Sequence, residues 1–549
     1  MENRPFKLLL FSAMIISTLA FQRCDLNKSG QIHGTEKNNE FISIKDQNFI
    51  DPSGRTMILH GINVVNKDPD MGYLGHISPD DFTTFKSWGF NVVRLGIIWD
   101  GLEHEPGVYN EEYLHGIDEM IKWAGENNIY VFLDMHQDLY SVQFSDGAPE
   151  WATITNDQPH QTGEVWSDAY LISPAVQAAF DHFWNNTPAL DGIGIQDHYI
   201  NLWKYLAKRY NDNSTVIGFD IMNEPFMGSG ANQVMPLLLQ AYAKLLVEQT
   251  GHAPPSEEEL MYMWGTASER IKVLETLSKK EVYKKIINAV YEVNAEFEKG
   301  PLTAFFQKAR NAIREVNKNH IIFIEHSYFT NMGVTGALQP LLDEHGNPDP
   351  LVAYAAHGYD LVVDTEAIAN GSNERVELIF ERIAETGKRL NIPVLIGEWG
   401  ALHGKSPDLI PVADHLMNVF NKHGFSDTFW AYGKFLHESS FLEVLKKPYP
   451  VATSGELVEY AYDYDTGKFS CIWTKKNRIQ APTIIYLSDI ENLQKDLITV
   501  TPEVESIEIE NINNSPAGYL IIPSSDVDGV KSLELILKSM DHKVISLLE

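Results

Sequence analysis

Two rhythms of hydrophobic and polar positions divide the chain. Between residues 57 and 434, apolar runs recur with helix-length segments between them: MILHGINVV (57–65), NVVRLGIIW (91–99), YVFLDMHQ (130–137), VIGFDIMNEP (216–225), IIFIEHSY (321–328), LVAYAAHGY (351–359), PVLIGEWG (393–400) and TFWAYGK (428–434). Continuous apolar runs mark strands buried on both faces, and the spacers imply parallel pairing through helical crossovers. Eight such units predict an α/β chain folded as a (β/α)8 TIM barrel. Nearly every run ends in a polar or aromatic residue: Arg94, His136, Asn223-Glu224, Glu325-His326, His357, Glu398 and Trp430. In this fold the C-terminal rim of the strands carries the chemistry.

After Pro450 the pattern changes to short alternating segments such as VEYAYDYDTGKFSCIW, in which Asp465-Thr466-Gly467 marks a hairpin turn. Residues 447–549 therefore read as an antiparallel β-sandwich domain, and 40–446 as the barrel domain. At the barrel's start, FISIKDQNFIDPSGRTMILHG predicts a hairpin turning at Asp51-Pro52-Ser53-Gly54 and capping the barrel's lower end. Between the fourth and fifth runs lie about 95 residues, more than one crossover helix needs. They include the helical segment 234–249 and a capping box, Ser256-x-x-Glu259, opening a second helix with Met261-Tyr262-Met263-Trp264. These apolar residues read either as plain core or as a lid beside the barrel mouth.

The composition, 44% hydrophobic and 11% aromatic over 549 residues, supports a large core and two domains. A formal charge of −32 excludes the basic footprint that a nucleic-acid binder needs. The N-terminus changes the expected location. A short basic start is followed by an apolar run from Leu8 to Leu19, which predicts a signal peptide over 1–24 and a secreted or extracytoplasmic protein. Thr18-x-Ala20 offers a cleavage site, while Cys24 offers lipid anchoring instead, although Arg23 before it fits that poorly. The run is shorter than the roughly 20 residues that span a bilayer. With only Cys24 and Cys471 present, an exported chain relies on its core rather than on disulfides.

At VIGFDIMNEPF (216–226) a strand that begins dry ends in Asn223-Glu224-Pro225, and proline cannot continue a ladder. Alone, Glu224 would be a helix cap or a loop carboxylate. A second glutamate, Glu398 in GEWG, stands at the end of the seventh run, and two such carboxylates are the parts that cleave a glycosidic bond. Glu224 would donate a proton to the leaving oxygen and Glu398 would attack the anomeric carbon. Arg94 would keep Glu398 ionised and aimed. Asn223 would bond the sugar 2-hydroxyl, His136, His357 and Tyr359 would complete the hydrogen-bond net, and Trp430 offers a face for a sugar ring. Singly, each of these residues reads as well as core or loop; their joint placement at strand ends is what carries the chemistry. Glu325 as an alternative acid lacks a preceding Asn. No HExxH, close His pair or EF-hand pattern suggests a metal, and no cofactor is expected.

In this order on these strands, Arg94, His136, Asn223-Glu224-Pro225, His357-Gly358-Tyr359, Glu398 and Trp430 resemble glycoside hydrolase family 5, the cellulase-like retaining enzymes. FLDMHQDLYS (132–141), HGINVVNK (60–67), PAVQAAFDHFWNN (174–186) and the opening KKPYPVATSG of the last domain resemble its endoglycoceramidase branch. The likeness runs from about residue 40 to the end. It implies Glu224 as acid/base, Glu398 as nucleophile, and Lys67, Asp134, Asp138 and Trp184 in the glucose subsites. It also implies a glycosphingolipid substrate, cleaved between oligosaccharide and ceramide with retention, and transient contact with a membrane or micelle surface. A cellulase-type endo-β-glucanase, an exo-acting glucosylceramidase or steryl-glucosidase, and a non-enzymatic glycolipid-binding module are the competing expectations.

Overall fold

The structure, a computed structural model, describes residues 40–537 apart from 364, 366–367, 369–370, 476–478 and 526. The expected leader and Cys24 lie outside the described residues. Eight parallel strands close into a barrel: β1 (His60–Val64), β2 (Val92–Ile98), β3 (Tyr130–His136), β4 (Val216–Asp220), β5 (Ile321–Ile324), β6 (Val352–Gly358), β7 (Val394–Trp399) and β8 (Ser426–Phe429). Seven of the apolar runs hold these strands, each of which starts a few residues inside its run or with it.

The eighth differs from the expectation: β8 is SDTF, and TFWAYGK overlaps only its last two residues. Its first two residues are polar yet buried, because each has a partner. Ser426 Oγ accepts the Leu59 N–H at 2.9 Å. Asp427 lies 2.8 Å from His60 Nδ1 and accepts the Trp399 indole N–H at 2.9 Å. An apolar-run criterion passes over a strand whose inward polar groups are satisfied by neighbours far away in sequence.

The last domain is built from β9 (Tyr449–Thr453), β10 (Glu456–Asp463), β11 (Lys468–Lys475), β12 (Thr483–Leu487), β13 (Thr499–Thr501), β14 (Glu508–Asn511), β15 (Gly518–Ile522) and β16 (Gly529–Ile536). They form two antiparallel sheets. Phe469, Cys471, Trp473 and Leu533 of one pack against Ile485, Leu487, Leu520 and Ile522 of the other. One sheet is not made by this segment alone. Its far edge consists of three N-terminal strands, Ser43–Lys45, Asn48–Ile50 and Thr56–Met57, joined to β9 through Met57 opposite Ala452. The same N-terminal strands place Ile42, Phe49 and Met57 beneath the barrel, against Val92, Phe132, Ile217, Phe323 and Leu395. The hairpin therefore floors the barrel and completes the sandwich at once. It turns twice, at Asp46-Gln47 and again at Asp51–Gly54.

The insert after β4 is helical: Val234–Thr250, Glu257–Gly265, Ala267–Thr276 and Lys280–Ile287. The Ser256/Glu259 capping box is present. Arg375 anchors the insert to the barrel, donating to the Leu274 carbonyl at 2.9 Å while paired with Asp360.

Candidate active site

The rim chemistry begins at β4. Asn223 and Glu224 follow the strand, and Glu224 sits at φ +44°, a left-handed conformation that costs a non-glycine residue about 1–3 kcal/mol and persists only where neighbours enforce it. Its backbone N–H donates to Glu325 Oε2 at 2.9 Å. Its Oε1 takes two donors, Asn331 Nδ2 at 2.7 Å and His357 Nδ1 at 3.0 Å. The other oxygen, Oε2, is left to carry a proton. Burial pushes the Glu224 carboxyl up to about 7, against the pull of His357 and with a further push from Glu398.

Glu398 is aimed from β7, where the register against β6 shifts between Ile396 and Glu398 and sets Glu398 opposite His357. Arg94 Nη1 donates to its Oε1 at 2.6 Å and the Tyr359 hydroxyl to its Oε2 at 2.9 Å. An oxygen of Glu224 and an oxygen of Glu398 lie within 4.8 Å of each other, with a ring nitrogen of His357 equally close.

Behind the pair stands a buried charge cluster. The Arg94 guanidinium is wholly enclosed and bonds Asp220 (2.9 Å), Asn63 (3.2 Å), Asn223 (3.0 Å) and Glu325 (2.8 Å) besides Glu398, with Asp134 a further ion contact at 2.9 Å. These carboxylates hold Arg94 charged despite its burial. Glu325 and Glu398 likewise hold the His357 imidazolium well above the usual histidine range against burial. Burial, with Glu325 close by, pushes the Asp220 carboxyl well above the usual carboxylate range, against the pull of Arg94.

His136 Nδ1 donates to the Asp134 carboxylate at 2.8 Å, and its ring lies stacked on Trp430, centroids 5.2 Å apart and planes within 13°. Its Nε2 has no hydrogen-bond partner among the described residues. Lys67 pairs with Asp138, stands 3.6 Å from Asp146 and lies 5.1 Å above the Trp430 ring. Each carboxylate group thus has a resident cation: Lys67 beside Asp138 and Asp146, Arg94 and His357 beside the others. The donor sets read as ion-paired networks rather than as metal sites.

A cavity of about 900 Å3 opens over the pair. Lys67, His136, Asp138, Glu224, Tyr359, Glu398 and Trp430 line it, so seven of the sequence-predicted residues share one wall. Arg94, Asp134, Asn223 and His357 are buried behind that wall and touch it through hydrogen bonds. Trp184 is placed elsewhere. Its indole donates to the Phe226 carbonyl at 2.8 Å and packs on Phe183, Phe297 and Phe305, so the residue belongs to the core beside β4 and not to the cavity. Much of the rest of the cavity lining is apolar and part of it comes from the insert: Met235, Leu238, Tyr242, Met261 and Trp264 line it, as do Trp166, Ile172 and Tyr328 from outside the insert. Sequence reasoning missed Asn331 and Asp146. Neither ends an apolar run, and Asn331 reaches Glu224 only because a short helix, Tyr328–Met332, turns it inward.

A closed eight-stranded barrel whose fourth and seventh strands present two facing glutamates defines a carboxylate-pair glycoside hydrolase. The chain belongs to glycosyl hydrolase family 5: the family's cellulase model matches residues 50–250 and 261–435, and the model of the family's C-terminal domain matches 447–526. The chain is similar to an endoglycoceramidase of Cyanea nozakii, 32% identical over 258 residues, which are 41% of this chain and 48% of that protein, so it spans about half of that relative. To endoglycoceramidase I of Rhodococcus hoagii it is 23% identical over 505 residues, 89% of this chain and 86% of the relative. A solved structure of endo-glycoceramidase II from Rhodococcus sp., in complex with ganglioside GM3, shares the fold with a TM-score of 0.67 at 23% identity, covering 89% of this chain and 99% of that one.

Proposed function

We propose that the protein is a retaining β-glucosidic hydrolase that releases oligosaccharide from the ceramide of glycosphingolipids. The observation that carries this reading is the facing pair with oxygens within 4.8 Å, next to a cavity whose far side is apolar. Retaining enzymes hold their two carboxyl groups about 5–5.5 Å apart, whereas inverting ones leave room for a water at 6.5 Å or more.

In the first step Glu398 attacks the anomeric carbon while Glu224 Oε2 gives its proton to the departing ceramide oxygen. The glycosidic bond breaks, and a bond from the sugar to Glu398 forms. In the second step Glu224, now ionised, takes a proton from water, which displaces Glu398 and leaves the anomeric configuration as it began. Arg94 and Tyr359 hold the attacking carboxylate. The Asn223 amide binds Arg94 and the Gln137 carbonyl, and we assign its second N–H to the sugar 2-hydroxyl. Lys67, Asp138, the free His136 Nε2 and the face of Trp430 form the sugar side. The ceramide lies against Leu238, Tyr242 and Trp264. Trp166, Ile172 and Met261, each more than two-fifths exposed, ring this apolar end and suit contact with a micelle or membrane surface. Export through the N-terminal leader fits a substrate of that kind, and mass measurement of the mature chain distinguishes cleavage near Ala20 from lipid at Cys24.

Product chromatography from a mixed glycolipid panel is the test. Intact oligosaccharide plus free ceramide is expected. Stepwise loss of terminal glucose would replace this reading with an exo-acting one, and binding without turnover would replace it with a glycolipid-binding module.

A further inference from the structure

Glu325 stands at the end of β5, fully buried and outside the cavity wall, so it touches no substrate. It nonetheless meets three groups of the machinery. Its Oε2 accepts the Glu224 backbone N–H at 2.9 Å, its Oε1 accepts Arg94 Nη2 at 2.8 Å, and the same Oε1 lies 3.3 Å from His357 Nε2. We propose that Glu325 is a positioning residue for the acid/base: its ionised carboxylate holds the Glu224 backbone in the left-handed turn that aims the side chain at the departing oxygen. The inference rests on Glu224 acting as the acid in the proposed function.

Redundancy decides which of the three contacts matters most. Arg94 keeps Asp220, Asn63, Asn223, Asp134 and Glu398 if Glu325 is lost. The Glu224 N–H has no other partner among the described residues. Chemistry decides why the residue is a carboxylate. Both of its oxygens face donors, and only an ionised carboxylate is acceptor on both sides. A glutamine in its place must turn its NH2 toward one of them. The Arg94 and His357 cations claim the amide oxygen, so the NH2 faces the Glu224 N–H, donor against donor, and the turn loses its anchor. The acid is then misaimed while the nucleophile, held by Arg94 and Tyr359, stays in place.

The test compares wild type with Glu325→Gln on two substrates, a ceramide glycoside with a poor leaving group and a dinitrophenyl glycoside that needs no protonation. Measurable wild-type turnover comes first, since its absence would refute the glycosidase reading itself and not the role of Glu325. The expected result is a loss in kcat/KM of about 10²-fold on the ceramide glycoside and less than about fivefold on the aryl one. In a Glu224→Gln background the same substitution should add almost nothing, because both act through one group. Equal loss on both substrates, or no loss on either, would overturn the proposal. Glu325→Asp, which keeps the charge but withdraws it from the Glu224 N–H, should show the same leaving-group selectivity where the glutamine variant does not fold. Failure of both variants to fold would make Glu325 a structural residue and overturn the proposal equally.

Discussion

Burial pushes the Glu224 carboxyl up so that it keeps its proton, while the equally buried Glu398 carboxyl is held by the Arg94 guanidinium and the Tyr359 hydroxyl. With the Glu224 carboxyl near 7, the acid-dependent rate should fall as pH rises through about 7, and kcat/KM on a ceramide glycoside should show this alkaline limb. In Glu224→Gln the limb should vanish on a good-leaving-group substrate, with activity on the natural one lower by about 10²–10⁴-fold. Glu398→Gln should lose about 10⁴-fold or more on both, since no leaving group replaces a nucleophile. The same shift has a stability consequence of definite sign. The folded carboxyl sits above its unfolded value of 4.5, so its contribution is complete below about 4.5 and is lost as pH rises through about 7. Glu224→Gln, which cannot ionise, should therefore gain melting temperature over wild type at pH 8 and not at pH 4.5, read by thermal unfolding at the two pH values.

Among the elements, the insert after β4 decides what the barrel can accept. The pattern MPLLLQAYAKLLVEQ reads equally as a core helix and as a lid, and the choice needed the cavity. Met235, Leu238 and Tyr242 face it from one helix and Met261 and Trp264 from the next, while the outer faces of both helices are exposed. Their burial is incomplete because one side faces the cavity rather than packed protein. Leu238→Asp or Trp264→Glu should weaken cleavage of micellar ceramide glycosides by about tenfold or more, the loss expected from misplacing a charge against an alkyl chain. Cleavage of a short aryl glucoside should change little. A parallel fall in both rates, measured with the melting temperature, would assign the insert to the core.

For the whole molecule, the barrel and the sandwich share parts and should stand or fall together. The Tyr449 hydroxyl donates to the Gly89 carbonyl at 2.7 Å and the Tyr486 hydroxyl to that of Ser87 at 2.9 Å. Gly89 has φ +86°, and a Cβ there would lie 2.4 Å from the Tyr486 ring. Gly89→Ala should therefore destabilise the fold by about 1–3 kcal/mol, seen as a lower melting temperature with unchanged turnover per folded molecule. Ending the chain at Lys447 should leave no soluble barrel, because the strand at Thr56–Met57 loses β9 as its partner and presents an open edge.

Local pattern determined most of the barrel and the positions of the two candidate glutamates, Glu224 and Glu398, because strands buried on both faces must be apolar and residues that break such runs at their ends stand out. It determined the change to alternating strands near residue 450 for the same reason. Only the tertiary structure decided the rest. β8 is polar in sequence, and its buried Ser426 and Asp427 are satisfied by Leu59, His60 and Trp399 from distant segments. Trp184 sits in a stretch similar to the family's, and only the packing shows its ring edge-on against Phe297 and Phe305 and away from the cavity lining. The N-terminal strands join a sheet whose other members come about 400 residues later. Asn331 and Glu325 become parts of the site only where β4 and β5 meet. Periodicity reports which face of an element is dry; it does not report which distant donor or acceptor makes a buried polar group tolerable, and that is decided when the elements pack.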